Sequence, residues 1–318
     1  MKSLLNVNSS PHIKHPDTTS GIMLDVIVAL LPACVFGCVI FGISAAAVLV
    51  TSVLFAVVSE FLWNKILKKP STSADLSAVV TGLLLGMNLP AKTPLWMVAI
   101  GSITAIIVVK QMFGGLGCNF ANPAITARIV MLVSFPGAMS RFELPFVDTS
   151  TGATPLVYLS AESADIPQAV NFKNLFFGLE EGCIGETSAF LLLIGGLYLI
   201  LRRVISPVIP VSFIGTVALL SFLFGENVSI AVFGGGLILG AIFMATDYTT
   251  SPTTGAGKLI FGIGCGLITF VIRRYAALPE GVSYSILVMN ILVPYINRVT
   301  FKKPFGYVKP VKEAVPNE

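Results

Sequence analysis

The chain has 318 residues, 55% of them hydrophobic and 11% charged, with a formal net charge of +4. A soluble domain coats its surface with roughly 25% charged residues, so this composition excludes an ordinary water-solvated globule and points to lipid as the main solvent. The small positive balance also excludes a nucleic-acid partner, because Lys and Arg gather at the ends of apolar runs, where they set orientation in a membrane.

The first twenty residues, MKSLLNVNSSPHIKHPDTTS, are polar and carry no apolar core before a small-residue cleavage site. No cleavable signal is expected, and the first span must drive insertion. Between Asp25 and Glu60 no residue is charged. A spanning helix needs about 20 residues, so that stretch holds two spans with a turn near Gly42-Ile43-Ser44. Continuing along the chain, apolar runs predict ten spans: 22–42, 44–66, 75–90, 94–113, 123–136, 187–203, 206–224, 228–246, 257–273 and 284–301. The third and fifth are short for a bilayer, and Pro294 should kink the tenth.

The expected fold class is therefore an all-α polytopic membrane protein. Its parts are a tail at 1–21, a first five-helix repeat at 22–136, a loop region at 137–186, a second repeat at 187–301 and a tail at 302–318. The repeat is read from the likeness of GGLGCNFANPAITAR (114–128) and ATDYTTSPTTGAGK (245–258), with Pro123 and Pro252 at matching places. Five spans on either side of the loop make the repeats inverted. Broken helices that meet inside the membrane suit that architecture.

Lys and Arg in the short loops place both tails on the cytoplasmic side. Arg273-Arg274 disagree and are outvoted. The acidic loop 137–186 is then extracytoplasmic.

Cys34 and Cys38 share a helix face at i, i+4, but no second Cys or His pair lies near them, and packing is the plainer reading. Only Cys183 looks water-facing. The two histidines, His12 and His15, sit in the N-terminal tail, so no metal site is expected in the spans. The chain has no nucleotide-phosphate loop, iron–sulfur cysteine set or dinucleotide-binding fingerprint. The chain is therefore not expected to bind a dinucleotide or hold a cluster itself.

Three segments could carry chemistry. In Asp148-Thr-Ser-Thr151-Gly152-Ala153-Thr154-Pro155, Thr154 reads locally as a helix N-cap with Pro155 at the first helical position. Its hydroxyl, on a small flexible turn, is also a good attachment point. Asn119 and Asn122, three apart, line one side of a turn. Their carboxamides either tie the broken helix to the facing half or offer donors and acceptors to a ligand. In Asp247-Tyr-Thr249-Thr-Ser-Pro-Thr-Thr254, Asp247 caps the next turn or, with nearby hydroxyls, contacts a ligand or stabilises the crossing. Asp25 and Glu60 lie near span ends, and interfacial roles are expected for both.

The blocks SSPHI, IMLDVIVALLPA, GGLGCNFANPA, DTSTGATPL and FMATDYTTSPTT together make the chain resemble the D-subunit family of the Rnf electron-transport complex. It resembles more distantly the B subunit of the sodium-pumping NADH:quinone reductase. The resemblance implies covalent FMN at Thr154 through a phosphoester made by a separate transferase. Asp148, Thr151, Gly152 and Ala153 would be the rest of the motif. It implies non-covalent riboflavin lined by Asn119 and Asn122; by the repeat argument Asp247 and Thr249 face them, and they either contact that flavin or stabilise the crossing. It also implies a subunit that is not catalytic alone and holds no metal. Its partners would be a second FMN-bearing subunit, iron–sulfur membrane subunits and a cytoplasmic NADH/ferredoxin-side subunit. Electrons would pass from the FMN on the outer side to the riboflavin in the membrane. A cofactor-free channel or transporter with inverted repeats is the rival reading, because fold alone does not separate the two.

Overall fold

A computed structural model describes residues 18–68, 75–143, 151–152, 154–156, 159, 172–186, 188–276 and 280–301. Apart from a two-residue hairpin, the described regular structure is helical. The first half holds α1 (Thr19–Phe41), α2 (Ile43–Ile66), α3 (Ser77–Met87), α4 (Leu95–Ile103) and α5 (Pro123–Ser134). A π-helical stretch, Thr104–Gln111, continues α4. Next come α6 (Pro136–Met139), the hairpin β1 (Phe142–Glu143) and β2 (Thr151–Gly152), and α7 (Phe172–Phe177). The second half holds α8 (Ala189–Leu201), α9 (Val208–Leu223), α10 (Val228–Phe233), α11 (Leu237–Leu239), α12 (Gly255–Tyr275) and α13 (Val282–Thr300). A second π-helical stretch, Gly240–Met244, follows α11.

Each of the ten predicted spans coincides with a helical segment. Four are long and apolar enough to cross a bilayer unaided: α1, α2, α12 and α13. The third and fifth are short, at 11 and 12 residues. The eighth is broken at Gly234-Gly235-Gly236. The turn between α1 and α2 falls on Gly42, whose φ of 73° is cheap only without a Cβ. Pro294 lies inside α13. Large apolar side chains such as Val39, Val50, Leu219 and Phe222 stay exposed along the helices, as a lipid-facing surface requires.

The packing repeats itself. Helix α2 lies against α3 and α4 as α9 lies against α10 and α12. Helix α4 lies against α5 as α12 lies against α13. The first elements of the two halves, α1 and α8, pack on each other, and so do the last, α5 and α13. This order corrects the equivalence drawn from sequence. The break at 245–254 joins the third and fourth elements of its half, so its counterpart is the turn at 88–94. The break at 114–122 corresponds to 276–281. The proline-bearing likeness of the two breaks reflects similar local chemistry rather than equivalent positions. They still meet, because both end on the same face of the bundle. The opposite face carries the described residues between 135 and 188 and is called the loop face below.

Candidate functional site

On the face away from the loop, the two breaks enclose a cavity of about 320 Å³ between the halves. Ligand pockets start at about 300 Å³. Asn119, Asn122, Asp247 and Thr249, all expected from the sequence, line it together. Both π-helical stretches reach it, one through Lys110 and the other through Ile242 and Phe243. Such widened turns recur at functional sites.

Asn122 is the N-cap of α5. Its Oδ1 accepts from the N–H of Ala124 at 3.0 Å and of Ile125 at 3.3 Å, and Pro123 follows at the first helical position. Its Nδ2 donates across the halves to Met244 O at 3.2 Å. Asn290 of α13 completes the tie. With its carboxamide oriented to satisfy both sides, it donates to Thr250 O at 3.0 Å and accepts from Asn122 N–H at 3.1 Å. The structural role weighed for Asn122 therefore holds: it joins the broken helix to the facing half. Asn119 differs. Its Oδ1 is buried and has no hydrogen-bond partner among the described residues. Asp247 accepts from Thr249 Oγ1 at 3.1 Å, Thr250 Oγ1 at 3.2 Å and Thr249 N–H at 3.5 Å, the local cap expected of it.

The two acidic residues expected at interfaces are drawn inward. Glu60 is fully buried and accepts from Lys110 Nζ at 2.9 Å and Gln111 Nε2 at 2.9 Å. That corrects its interfacial reading, because a carboxylate with two buried donors has no need of the water boundary. Asp25 accepts from Tyr198 Oη at 2.9 Å and Arg202 Nη2 at 3.1 Å, and only the arginine is well exposed. Cys34 and Cys38 are free thiols.

The described residues of the segment expected to carry the attachment point lie at the loop face. Strand β2 pairs Thr151 with Glu143 and Gly152 with Phe142. Asp148 and Ala153 fall outside the described residues, as does the side chain of Thr151. Thr154 is described, and it is not the exposed hydroxyl expected. It is 2% exposed, and its Oγ1 has no hydrogen-bond partner among the described residues. The cause is its neighbour. Leu156 packs against the Gly234-Gly235 break and draws the segment into the protein.

Beside that break lies a charged cluster that sequence reasoning missed. Arg128 of α5 donates to Asn88 Oδ1 at 2.9 Å and Ser283 Oγ at 3.0 Å, pairs with Glu280, and stands 3.8 Å from Glu186. A lone arginine within the fifth span was the signal that could have found it. Cys183, Glu186 and Glu280 bring three ligand-type atoms within 4.8 Å of one another. Arg128 already supplies the cation there. Burial, then the charge of Glu186, pushes the Cys183 thiol up to about 12, so it stays protonated. Cys183 is buried, against the water-facing reading. Nearby, burial and then Glu181 push the Glu180 carboxyl up to about 7, and its Oε1 has no partner among the described residues.

Residues 6–306 match the model of the NQR2, RnfD, RnfE family. Among curated proteins, the chain is 49% identical to the D subunit of the Na(+)-translocating ferredoxin:NAD(+) oxidoreductase complex of Acetobacterium woodii, covering 98% of each chain. It is 44% identical to the proton-translocating counterpart of Clostridium ljungdahlii, covering 96% of this chain and 97% of the relative. It is 36% identical to the D subunit of the ion-translocating oxidoreductase complex of Stutzerimonas stutzeri, covering 90% and 91%.

Proposed function

The chain belongs to the NQR2, RnfD, RnfE family, and we propose that it is the flavin-carrying membrane subunit of an ion-translocating ferredoxin:NAD oxidoreductase complex. It sits in a prokaryotic cytoplasmic membrane with its tails inside and the loop face outside. It works with a second FMN-bearing subunit, iron–sulfur membrane subunits and a cytoplasmic NADH/ferredoxin-side subunit. Relatives named for sodium and for protons match along the whole chain, so that likeness favours neither ion.

The observation that carries the redox reading is the cavity between the breaks. A neutral flavin without phosphate wants amides and hydroxyls rather than a cationic cluster. Asn119 supplies a buried carbonyl oxygen with no partner among the described residues. Thr249 and Asp247 present further polar atoms, while Ile242, Phe243 and Leu84 give the apolar wall a ring plane needs. Lys110 does not upset this neutrality, because Glu60 balances its charge. The bound flavins would supply one-electron transfer; the chain supplies position and environment.

Thr154 fits an attachment point in that its oxygen has no competing bond among the described residues. Esterification forms the Oγ1–P bond and breaks the bond from that phosphorus to the leaving group of the donor, which takes the hydroxyl proton. Burial of Thr154 requires that this happen before the 154–156 segment packs down, or while it is lifted.

The test is in-gel flavin fluorescence of the denatured full chain from cells competent in flavin transfer, with mass analysis of the Thr154 peptide. A fluorescent band that Thr154→Ala abolishes supports the attachment. A dark band from the parent chain rejects it and favours a cofactor-free conduit, the reading that inverted repeats with two breaks would otherwise suggest. Acid extraction of released riboflavin tests the cavity separately.

A further inference from the structure

Two residues beside the glycine break of the eighth span, Arg273 and Glu186, each have a buried polar atom with no hydrogen-bond partner among the described residues, Nε and Oε1; so does Thr154 Oγ1, two residues before the Leu156 that packs on the break. Arg273 is 4% exposed and ends α12 on the loop face. Two of its nitrogens cap the break, Nη1 donating to Ala231 O at 2.6 Å and Nη2 to Gly234 O at 3.3 Å. A Cβ placed on Gly235 would lie 3.4 Å from Arg273 Nη2 and 2.6 Å from Leu156 Cδ1. The guanidinium and the 154–156 segment therefore rest on the same glycine. Thr154 is two residues from Leu156, at most about 7 Å of backbone.

A sealed guanidinium N–H without an acceptor is costly, and a charged donor costs more than a neutral one. The carboxylates that face Arg273 are Glu186 and Glu226. Each has another cation: Glu186 stands 3.8 Å from Arg128, and Glu226 pairs with Arg274 at 2.7 Å. Arg273 is thus the cation here with a donor to spare. It is also one of the two residues that defied the orientation rule.

We propose that Arg273 is the phosphate-binding residue of the Thr154 attachment site: its Nε–H donates to the anionic phosphodiester once Thr154 is esterified. The inference rests on the attachment reading above. A phosphodiester keeps one negative charge, and an arginine already fixed at two of its nitrogens meets it without reorganisation. The bond positions the linker and leaves the ring free to face outward. Arg273 is a positioning residue, and the flavin chemistry does not pass through it.

The experiment compares the full wild-type chain, labelled with ¹⁵N-arginine and purified with and without flavin transfer. Intact mass first shows whether Thr154 is loaded; no added mass means the attachment reading itself fails. With loading established, one arginine Nε–H resonance moves downfield, and Arg273→Lys removes that resonance. Arg273→Lys also loses most of the loading-dependent rise in thermal midpoint, roughly 3–6 °C in the parent. Should Arg273→Lys not assemble, the wild-type spectra decide alone: one shifted Nε–H supports the proposal and none overturns it. A shifted resonance that Glu186→Gln abolishes in the unloaded chain marks a plain ion pair, which also overturns it.

Discussion

Lys110 Nζ lies 2.9 Å from Glu60 Oε1, with 2% and 1% of the two side chains exposed. Ser77 Oγ accepts a further Lys110 bond at 2.7 Å. The pair locks the π-helical end of the fourth span to α2 and α3. Removing one partner strands a buried charge, at a cost of about 3–5 kcal/mol. Glu60→Met should therefore lower the thermal midpoint of the solubilised chain sharply, and adding Lys110→Met should restore most of it. A double variant no better than the single would show that the charge itself is not what matters.

Asn122 does two jobs that substitution separates. Asn122→Asp keeps the acceptor for the Ala124 and Ile125 N–H groups but cannot donate to Met244 O. Asn122→Ala loses both. The cap alone is worth about 1 kcal/mol. Melting curves should put both variants below the parent, since each loses the bond to Met244 O. Extractable riboflavin should fall already in Asn122→Asp, because the lost bond is the one that ties the two walls of the cavity.

Helices α1 and α8 touch backbone to backbone. A Cβ on Gly195 would lie 2.3 Å from Ala29 O, whereas one on Gly215 meets nothing within 4 Å. Gly195→Ala must push the halves apart and should cost about 1–3 kcal/mol. Gly215→Ala should be within error of the parent by the same melting assay, and a drop equal to that of Gly195→Ala would refute the steric account.

Glu180 gives the loop face a pH response. Its folded carboxyl titrates at about 7 because burial, and secondarily Glu181, disfavours the charge. The native state then holds a proton that the unfolded chain releases near the ordinary value of 4.5. Stability is full below that value and declines as pH rises through 7. Between pH 5 and pH 8 the thermal midpoint of the parent should fall more than that of Glu180→Gln, whose side chain is neutral throughout. Parallel curves would exclude Glu180 as the source.

The spans were legible because length and apolarity suffice for a helix in lipid, where the backbone must satisfy itself. The cavity residues Asn119, Asn122, Asp247 and Thr249 were legible because polar side chains beside prolines stand out in such a sequence. What sequence spacing cannot carry is pairing at a distance. Glu60 and Lys110 are fifty residues apart, so each read as an end-of-span charge. The two breaks looked alike locally, yet the packing makes 88–94, not 114–122, the counterpart of 245–254. Thr154 looked exposed because its neighbours are small and polar. Nothing local says that Leu156, two residues on, finds a glycine gap eighty residues downstream.

The bond between Arg128 and Glu280 joins residues 152 positions apart. A ribosome delivers the arginine when less than half the chain exists and its carboxylate only near the end of translation. Until then the cation of the fifth span has Glu186, 3.8 Å away, as a weaker partner, in a setting where ionisable groups are costly. A chain that stops short of residue 280 therefore leaves that arginine without its direct ion pair.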